Sequence, residues 1–189
     1  MKIIGLSGSP RIGGNSETLL YEFVRGAQSK DADTKIIRVC DLHAAGCDHC
    51  DACMLTGECT LFDDVMSVYD DIAAADGIVV ASPLHFMSVP AQLKAVIDRA
   101  QANWVRKHVM KSPPLGDERP RKGFLIAVGG RKSENLFDPI RATIKAWFAT
   151  LGIKYTGELL LADTDDIGAA QSNTEALRAA FAEGSAFVA

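Results

Sequence analysis

Five short apolar runs alternate with segments of helical period along the whole chain, and this alternation limits the fold more than any other feature. The runs Lys2–Leu6, Thr34–Cys40, Gly77–Ala81, Gly123–Val128 and Ile153–Leu161 read as strands. The first, third and fourth are apolar at successive positions, as inner strands of a parallel sheet are when helices cover both faces. Between them apolar residues recur at helical spacing. Leu19, Leu20, Phe23, Val24 and Ala27 form one stripe, and Val65, Met66, Tyr69, Ile72 and Ala73 form a second. Leu93, Val96, Ile97 and Ala100 form a third, with Ser88 expected as N-cap and Pro90 in the first turn. Ile140, Ile144, Trp147, Phe148 and Leu151 lie between Asp138–Pro139 and Gly152, a start and a stop signal. A last helix is expected from about Ser172 to Phe181. Five βα units predict an α/β fold, a doubly wound five-stranded parallel sheet, as one domain over residues 1–189. A cysteine-rich loop over 41–61 follows the second strand, and 108–122 reads as a polar, proline-rich surface insertion.

Charge narrows the partners. Lys and Arg number 20 against 24 Asp and Glu, a net charge of −4, which offers no basic face for nucleic acid. No run of eighteen apolar residues is present to span a membrane. The apolar run in MKIIGLSGSP is too short for a secretion signal and reads as a buried strand, so a cytoplasmic location is expected.

In such sheets ligands sit beyond the carboxyl ends of the strands, where strand order reverses. Those ends are the loops at 7–16, 41–61, 82–89 and 129–137. The first reads Ser7-Gly-Ser-Pro-Arg-Ile-Gly-Gly-Asn-Ser16 and leads into a helix. Its glycines let backbone approach a ligand, and the free amides at a helix start attract an anion. Ser7, Ser9, Asn15 and Ser16 add neutral donors, and Arg11 adds a charged fork. No G-x-G-x-x-G is present. Gly8 and Gly13 have the separation of a nucleoside-triphosphate loop, but Gly14 stands where its lysine belongs. A terminal monophosphate fits these donors better; a turn that binds nothing is the alternative.

Four of the five cysteines fall within thirteen positions. Cys47-Asp-His-Cys50-Asp-Ala-Cys53 gives C-x2-C-x2-C, and Cys59 follows after five residues that include Gly57. Three thiolates at intervals of three open the cluster motif of bacterial ferredoxins, and Cys59 is placed to complete a [4Fe–4S] set. Zinc sites use paired knuckles a dozen or more residues apart, and no second knuckle exists here, although His49 is an extra candidate ligand. Zinc and metal-free thiols both stay open on spacing alone. Cys40 ends an apolar strand and reads as a core residue.

Gly8-Ser-Pro-Arg11 with Gly13-Gly-Asn-Ser16, Ala81-Ser-Pro-Leu-His-Phe-Met-Ser-Val-Pro90, Leu93-Lys94 and Ile97-Asp98-Arg99 together resemble the NADPH-dependent FMN reductase group of flavodoxin-like proteins, over about residues 1–160. With the cysteine motif added, the chain resembles the iron–sulfur flavoproteins. The resemblance implies a flavodoxin-like sheet of order 2-1-3-4-5. It implies FMN with its phosphate on Ser9, Arg11, Asn15 and Ser16, and Ser7 at the start of the same loop. Pro83, Leu84, His85 and Phe86 would run along the isoalloxazine, with Gly129 and Gly130 on its third side. An aromatic residue is common in the family where Leu84 and His85 stand. Cys47, Cys50, Cys53 and Cys59 would carry one [4Fe–4S] cluster. The implied activity is an electron-transfer oxidoreductase between a low-potential donor, such as a ferredoxin, and an acceptor, with NAD(P)H as a further candidate substrate. The implied assembly is a homodimer or homotetramer in which the cluster of one subunit lies near the flavin of another. No Ser/His/Asp or Cys/His constellation is evident, and nothing pairs His85 with a carboxylate, so no catalytic acid or base is assigned. The competing readings are an NAD(P)H-dependent FMN or quinone reductase without a cluster, a passive flavodoxin-type carrier, and a zinc-stabilised binding module.

Asp48, Asp51, Glu58, Asp63 and Asp64 surround the cysteines with negative charge, which disfavours adding an electron to an anionic cluster and predicts a low potential. A solvated, screened acidic loop is the bland alternative. The double variant Asp48→Asn, Asp51→Asn is expected to raise the cluster midpoint in a potentiometric titration; an unmoved midpoint assigns those carboxylates to plain surface.

Overall fold

The computed structural model describes residues 1–189. Its strands are β1 (Lys2–Ser7), β2 (Asp33–Arg38), β3 (Gly77–Pro83), β4 (Arg121–Val128) and β5 (Ile153–Leu161). All pair in parallel in the order β2-β1-β3-β4-β5, so the chain fills one side of β1 and then crosses to the other. The helices are α1 (Asn15–Gln28), the short α2 (Cys53–Thr56), α3 (Asp64–Ala74), α4 (Ala91–Asp98), α5 (Gln101–His108), α6 (Asp138–Leu151), the short α7 (Ala169–Ser172) and α8 (Thr174–Val188). This is the predicted flavodoxin-like, doubly wound sheet. None of the helices is long and apolar enough to cross a membrane.

Alternation along the inner strands feeds two apolar layers. Ile4, Leu6, Ile78, Val80, Leu125 and Ala127 face the side covered by α3, α4 and α6. Ile3, Val79, Ala81, Phe124, Ile126 and Val128 face α1 and α8, where the Phe23, Phe124 and Phe187 rings meet.

Several boundaries differ from the sequence expectation, each for a local reason. The second strand stops at Arg38, and Cys40 sits in a 3-10 turn (Val39–Asp41) packed against the core. Ser88 does not cap α4, because its backbone is paired with that of His85 in a tight hairpin and the helix starts after Pro90. Met66 is 40% exposed, and the buried stripe of α3 is Val65, Val68 and Ile72. Of the segment expected as an insertion, His108 closes α5 and Arg121 with Lys122 opens β4, so the irregular stretch is 109–120. The last helix begins later and runs further than expected, capped by the Asn173 side chain on the Ala176 amide. Its buried face, Ala176, Ala180, Gly184 and Phe187, is too rich in small residues to stand out as an apolar stripe.

Those small residues let α1 and α8 touch backbone to backbone. A Cβ on Gly184 would fall 1.8 Å from the Phe23 carbonyl oxygen, and one on Gly26 would fall 2.0 Å from that of Phe181. Alanine would gain about 1 kcal/mol of helix propensity at either position, against an overpacking cost of about 1–3 kcal/mol with no flexible atom to yield. Gly184→Ala is therefore expected to lower the urea midpoint; an equal or higher midpoint would refute the close approach.

Candidate functional site

The first loop leaves β1 at Ser7, where the Gly8 amide still bonds the Ala81 carbonyl at 2.8 Å. It re-enters helix at Asn15 with Gly14 as N-cap, and no side chain caps that start. The orphan N–H groups of the first turn therefore face the loop. The Ser16 hydroxyl is the one buried side-chain polar atom in the molecule without a hydrogen-bond partner. Leaving such a group unpaired costs about 1–3 kcal/mol, so its position at a helix start marks a place for an acceptor. The Ser9 hydroxyl accepts from the Arg11 amide at 3.1 Å and shapes the turn.

Glu17, buried one turn into α1, holds the loop from beneath. It accepts from the Gly13 amide at 2.6 Å and the Ser7 hydroxyl at 3.2 Å, and it pairs with Arg38. A buried carboxylate needs these partners to offset its lost hydration. The Ser7 hydroxyl is spent on this brace and does not reach the cleft above.

That cleft, of about 230 Å³, is lined by Ser9, Arg11, Asn15, Ser16, Pro83, Leu84, His85, Gly129 and Gly130, nine of the eleven flavin-site residues expected from sequence. Ser7 and Phe86 do not line it. Phe86 is fully exposed at the tip of the 85–88 hairpin, and both it and Met87 hold positive φ, 50° and 71°. Asn15 lines the cleft but is engaged elsewhere. Its amide donates to the Thr164 and Asp166 carbonyls at 2.9 Å each, and its oxygen accepts from the Ala170 amide at 3.1 Å. It ties α1 to the loop after β5, whose Thr164 and Asp165 supply a wall that sequence reading missed. The Asp165 carboxylate lies against Gly130, where a Cβ would fall 1.6 Å from one of its oxygens, so the two loops meet here.

The cysteine loop is closed at its neck. The His43 amide donates to the Asp64 carboxylate at 2.8 Å, and Asp63 accepts from the Ala45 amide at 3.0 Å and caps α3 through the Val65 amide at 3.1 Å. Arg99, at the end of α4 and only 3% exposed, supplies the central contact. It donates to Asp63 at 2.6 Å, the Leu61 carbonyl at 2.8 Å, the Ala45 carbonyl at 3.1 Å and Cys59 Sγ at 3.2 Å. Burial alone would raise the Asp63 carboxyl, but Arg99 and the two amides outweigh it and hold it below the usual carboxylate range. Arg106 on α5 donates to the Gly57 carbonyl at 2.8 Å. Gly57 ends α2 at φ 72°, and a Cβ there would meet Arg106 and Met110 at 2.9 Å, so the return to Cys59 depends on glycine.

Cys47, Cys50, Cys53 and Cys59 all border one small cleft together with Arg99. Cys47 and Cys50 are exposed, and Cys53 and Cys59 are half-buried. Burial first, and then the neighbouring thiols, push the Cys53 thiol up. No three His, Cys, Asp or Glu side chains converge closely enough to hold a single metal ion. The thiol cleft and the cleft lined by Ser9 and Ser16 share no lining residue.

Residues 1–136 match the NADPH-dependent FMN reductase family. An iron–sulfur flavoprotein of Methanosarcina thermophila is 31% identical over 158 residues, 84% of this chain and 78% of that protein. Another from Archaeoglobus fulgidus is 35% identical over 128 residues, 68% of this chain, which spans 62% of that relative's length. Among solved structures, an NAD(P)H:quinone oxidoreductase from Methanothermobacter marburgensis superposes with a TM-score of 0.76 at 18% identity, covering 98% of this chain and 94% of its own; that likeness is one of fold. The chain belongs to the NADPH-dependent FMN reductase family and, within it, to the iron–sulfur flavoproteins, and is thus a flavin oxidoreductase.

Proposed function

We propose that the chain is an electron-transfer oxidoreductase that holds FMN in the cleft above β1 and β3 and a [4Fe–4S] cluster on Cys47, Cys50, Cys53 and Cys59. The observation that carries the flavin half is the buried, unpartnered Ser16 hydroxyl at an uncapped helix start, with Arg11 beside it: a donor set that lacks its anion. Ser9, Ser16 and the α1 amides suit a phosphate, Asn15 fixes the helix start that presents them, and Leu84, His85, Gly129 and Gly130 border the space left for a flat ring.

The donor chemistry of the second cleft fits a cluster. Its four thiols border one small cleft, the number and type of ligand that a [4Fe–4S] cluster takes. Asp51 at φ 58° is followed by Ala52 in the right-handed region, a backbone alternation that turns successive amides toward an anion. Together the two groups would supply one-electron exchange at the cluster and one- or two-electron storage at the flavin, with NAD(P)H a candidate hydride source. The protein's share is to hold each group, to keep charge balanced around it and to leave an approach for a partner. Such an approach exists beside Cys59, in a cavity of about 380 Å³ floored by Val65, Tyr69 and Leu115, which suits a small redox partner. The reading is completed by exchange between the cluster of one subunit and the flavin of a neighbour in a homo-oligomer in the cytoplasm.

Two measurements test this reading. Anaerobically purified protein is expected to carry about four irons and matching sulfide per chain, with a broad absorbance beneath the flavin bands. Zinc, or flavin without iron, would reject the cluster. Ser16→Ala is expected to weaken FMN binding by about 10- to 100-fold, the loss of one hydrogen bond to a charged acceptor, while the apoprotein stays as stable or gains stability. Unchanged flavin affinity in a fluorescence titration would move the phosphate elsewhere.

A further inference from the structure

Arg99 alone ties both ends of the cysteine loop to the scaffold and also reaches a thiol. Its Nε points at Cys59 Sγ at 3.2 Å, and its two terminal nitrogens bind the Ala45 and Leu61 carbonyls and Asp63. Ala45 lies two positions before the first cysteine, and Leu61 lies two after the last. One guanidinium therefore joins the entry and exit of the loop. Its side chain is 2% exposed, so it is neither screened by solvent nor free to swing away.

Building on the cluster reading above, we infer that Arg99 is a positioning residue for the cluster: it pre-forms the four-thiol loop and, through its N–H to Cys59 Sγ, raises the cluster's reduction potential. The physical basis is the sign of the charge change. Reduction adds one electron to an anionic group, and a buried hydrogen bond to a ligating sulfur stabilises the more negative state more strongly. Asp63 neutralises part of the guanidinium charge, so the directed N–H carries more of the effect than the net charge does. The exposed acids Asp48 and Asp51 act in the opposite direction but through water, and Arg99 outweighs them by position. A lysine there would retain the charge as a single point and could not span Cys59, Leu61, Ala45 and Asp63 at once.

The test uses the full chain, reconstituted anaerobically with ferrous iron and sulfide, as wild type, Arg99→Lys and Arg99→Gln. Iron per chain and the cluster midpoint are read for each. Wild type labelled with 15N-arginine is also examined by pulsed EPR in the reduced state, which needs no variant to fold. The expected results are a lower midpoint in Arg99→Gln, a smaller fall in Arg99→Lys, less iron retained in both, and a nitrogen coupling from one arginine in the wild type. Variants that hold four irons at the wild-type midpoint would overturn the inference, as would absence of that coupling, whether or not a variant folds. Wild type that takes up no iron would instead overturn the cluster reading itself, and this inference with it.

Discussion

The placement of β1 between β2 and β3 is the constraint on which the rest of the molecule depends. Once the chain has laid β2 on one side of β1, it must cross to the other side to add β3. The loops that leave β1 and β3 then diverge at the same end of the sheet. Pairing of Ser7 with Ala81 fixes how far each strand runs before it turns, and the Gly8 amide on the Ala81 carbonyl ends that ladder at the mouth of the cleft lined by Ser9 and Ser16. That cleft is thus a consequence of strand order. Glu17 then supports it from below, linking the helix, the Gly13 amide, Ser7 and, through Arg38, the end of β2.

The second site is held differently. Of the cysteine loop only Leu42 and Ala44 pack against an apolar layer, and the rest of its order comes from polar contacts at its neck. A buried Asp63–Arg99 pair would cost more in desolvation than it returned if it stood alone. Here every lone pair and donor facing it has work: Asp63 also caps α3 and binds the Ala45 amide, and Arg99 closes on two carbonyls and a thiol. Removing either partner would strand the other in a dry setting. Such a pair specifies one loop conformation more than it adds stability.

Patterns of period two and near four need only neighbours in sequence, and so the strands, their burial and the main helices are legible in the sequence. The same is true of the residue types in the two site loops. What could not be read is which of those residues spend their hydrogen bonds on distant backbone. Asn15 looks like a phosphate donor because its amide partners lie 149 to 155 residues away. Ser7 looks like one too, until Glu17 is seen to take its hydroxyl. Arg99 follows a helical stripe as an ordinary surface arginine would, and its four partners lie 36 to 54 residues earlier. Helix α5 escaped notice because only Asn103 and Val105 in it are buried, one of them polar.

Backbone strain makes the same division visible. Seven non-glycine residues hold positive φ, and four of them, His49, Asp51, Phe86 and Met87, sit in the two loops that carry thiols and the flavin rim. His and Asp tolerate that region better than most residues, so the cysteine loop bends at modest cost. Phe86 and Met87 do not, and two left-handed residues in succession form the kind of turn that Asn-Gly serves best. Strain of about 1–3 kcal/mol for each such residue persists only where the surroundings over-determine it. Here they do: the Leu84 amide is bonded to the Val128 carbonyl, His85 and Ser88 bond each other twice, and α4 begins three residues later with Leu93 buried under Gly8. The hairpin is therefore set by the strands and helix on either side of it, and Phe86 at its tip is fully exposed. The same constraint sets His85, at the base of that turn, beside Leu84 in the wall of the cleft.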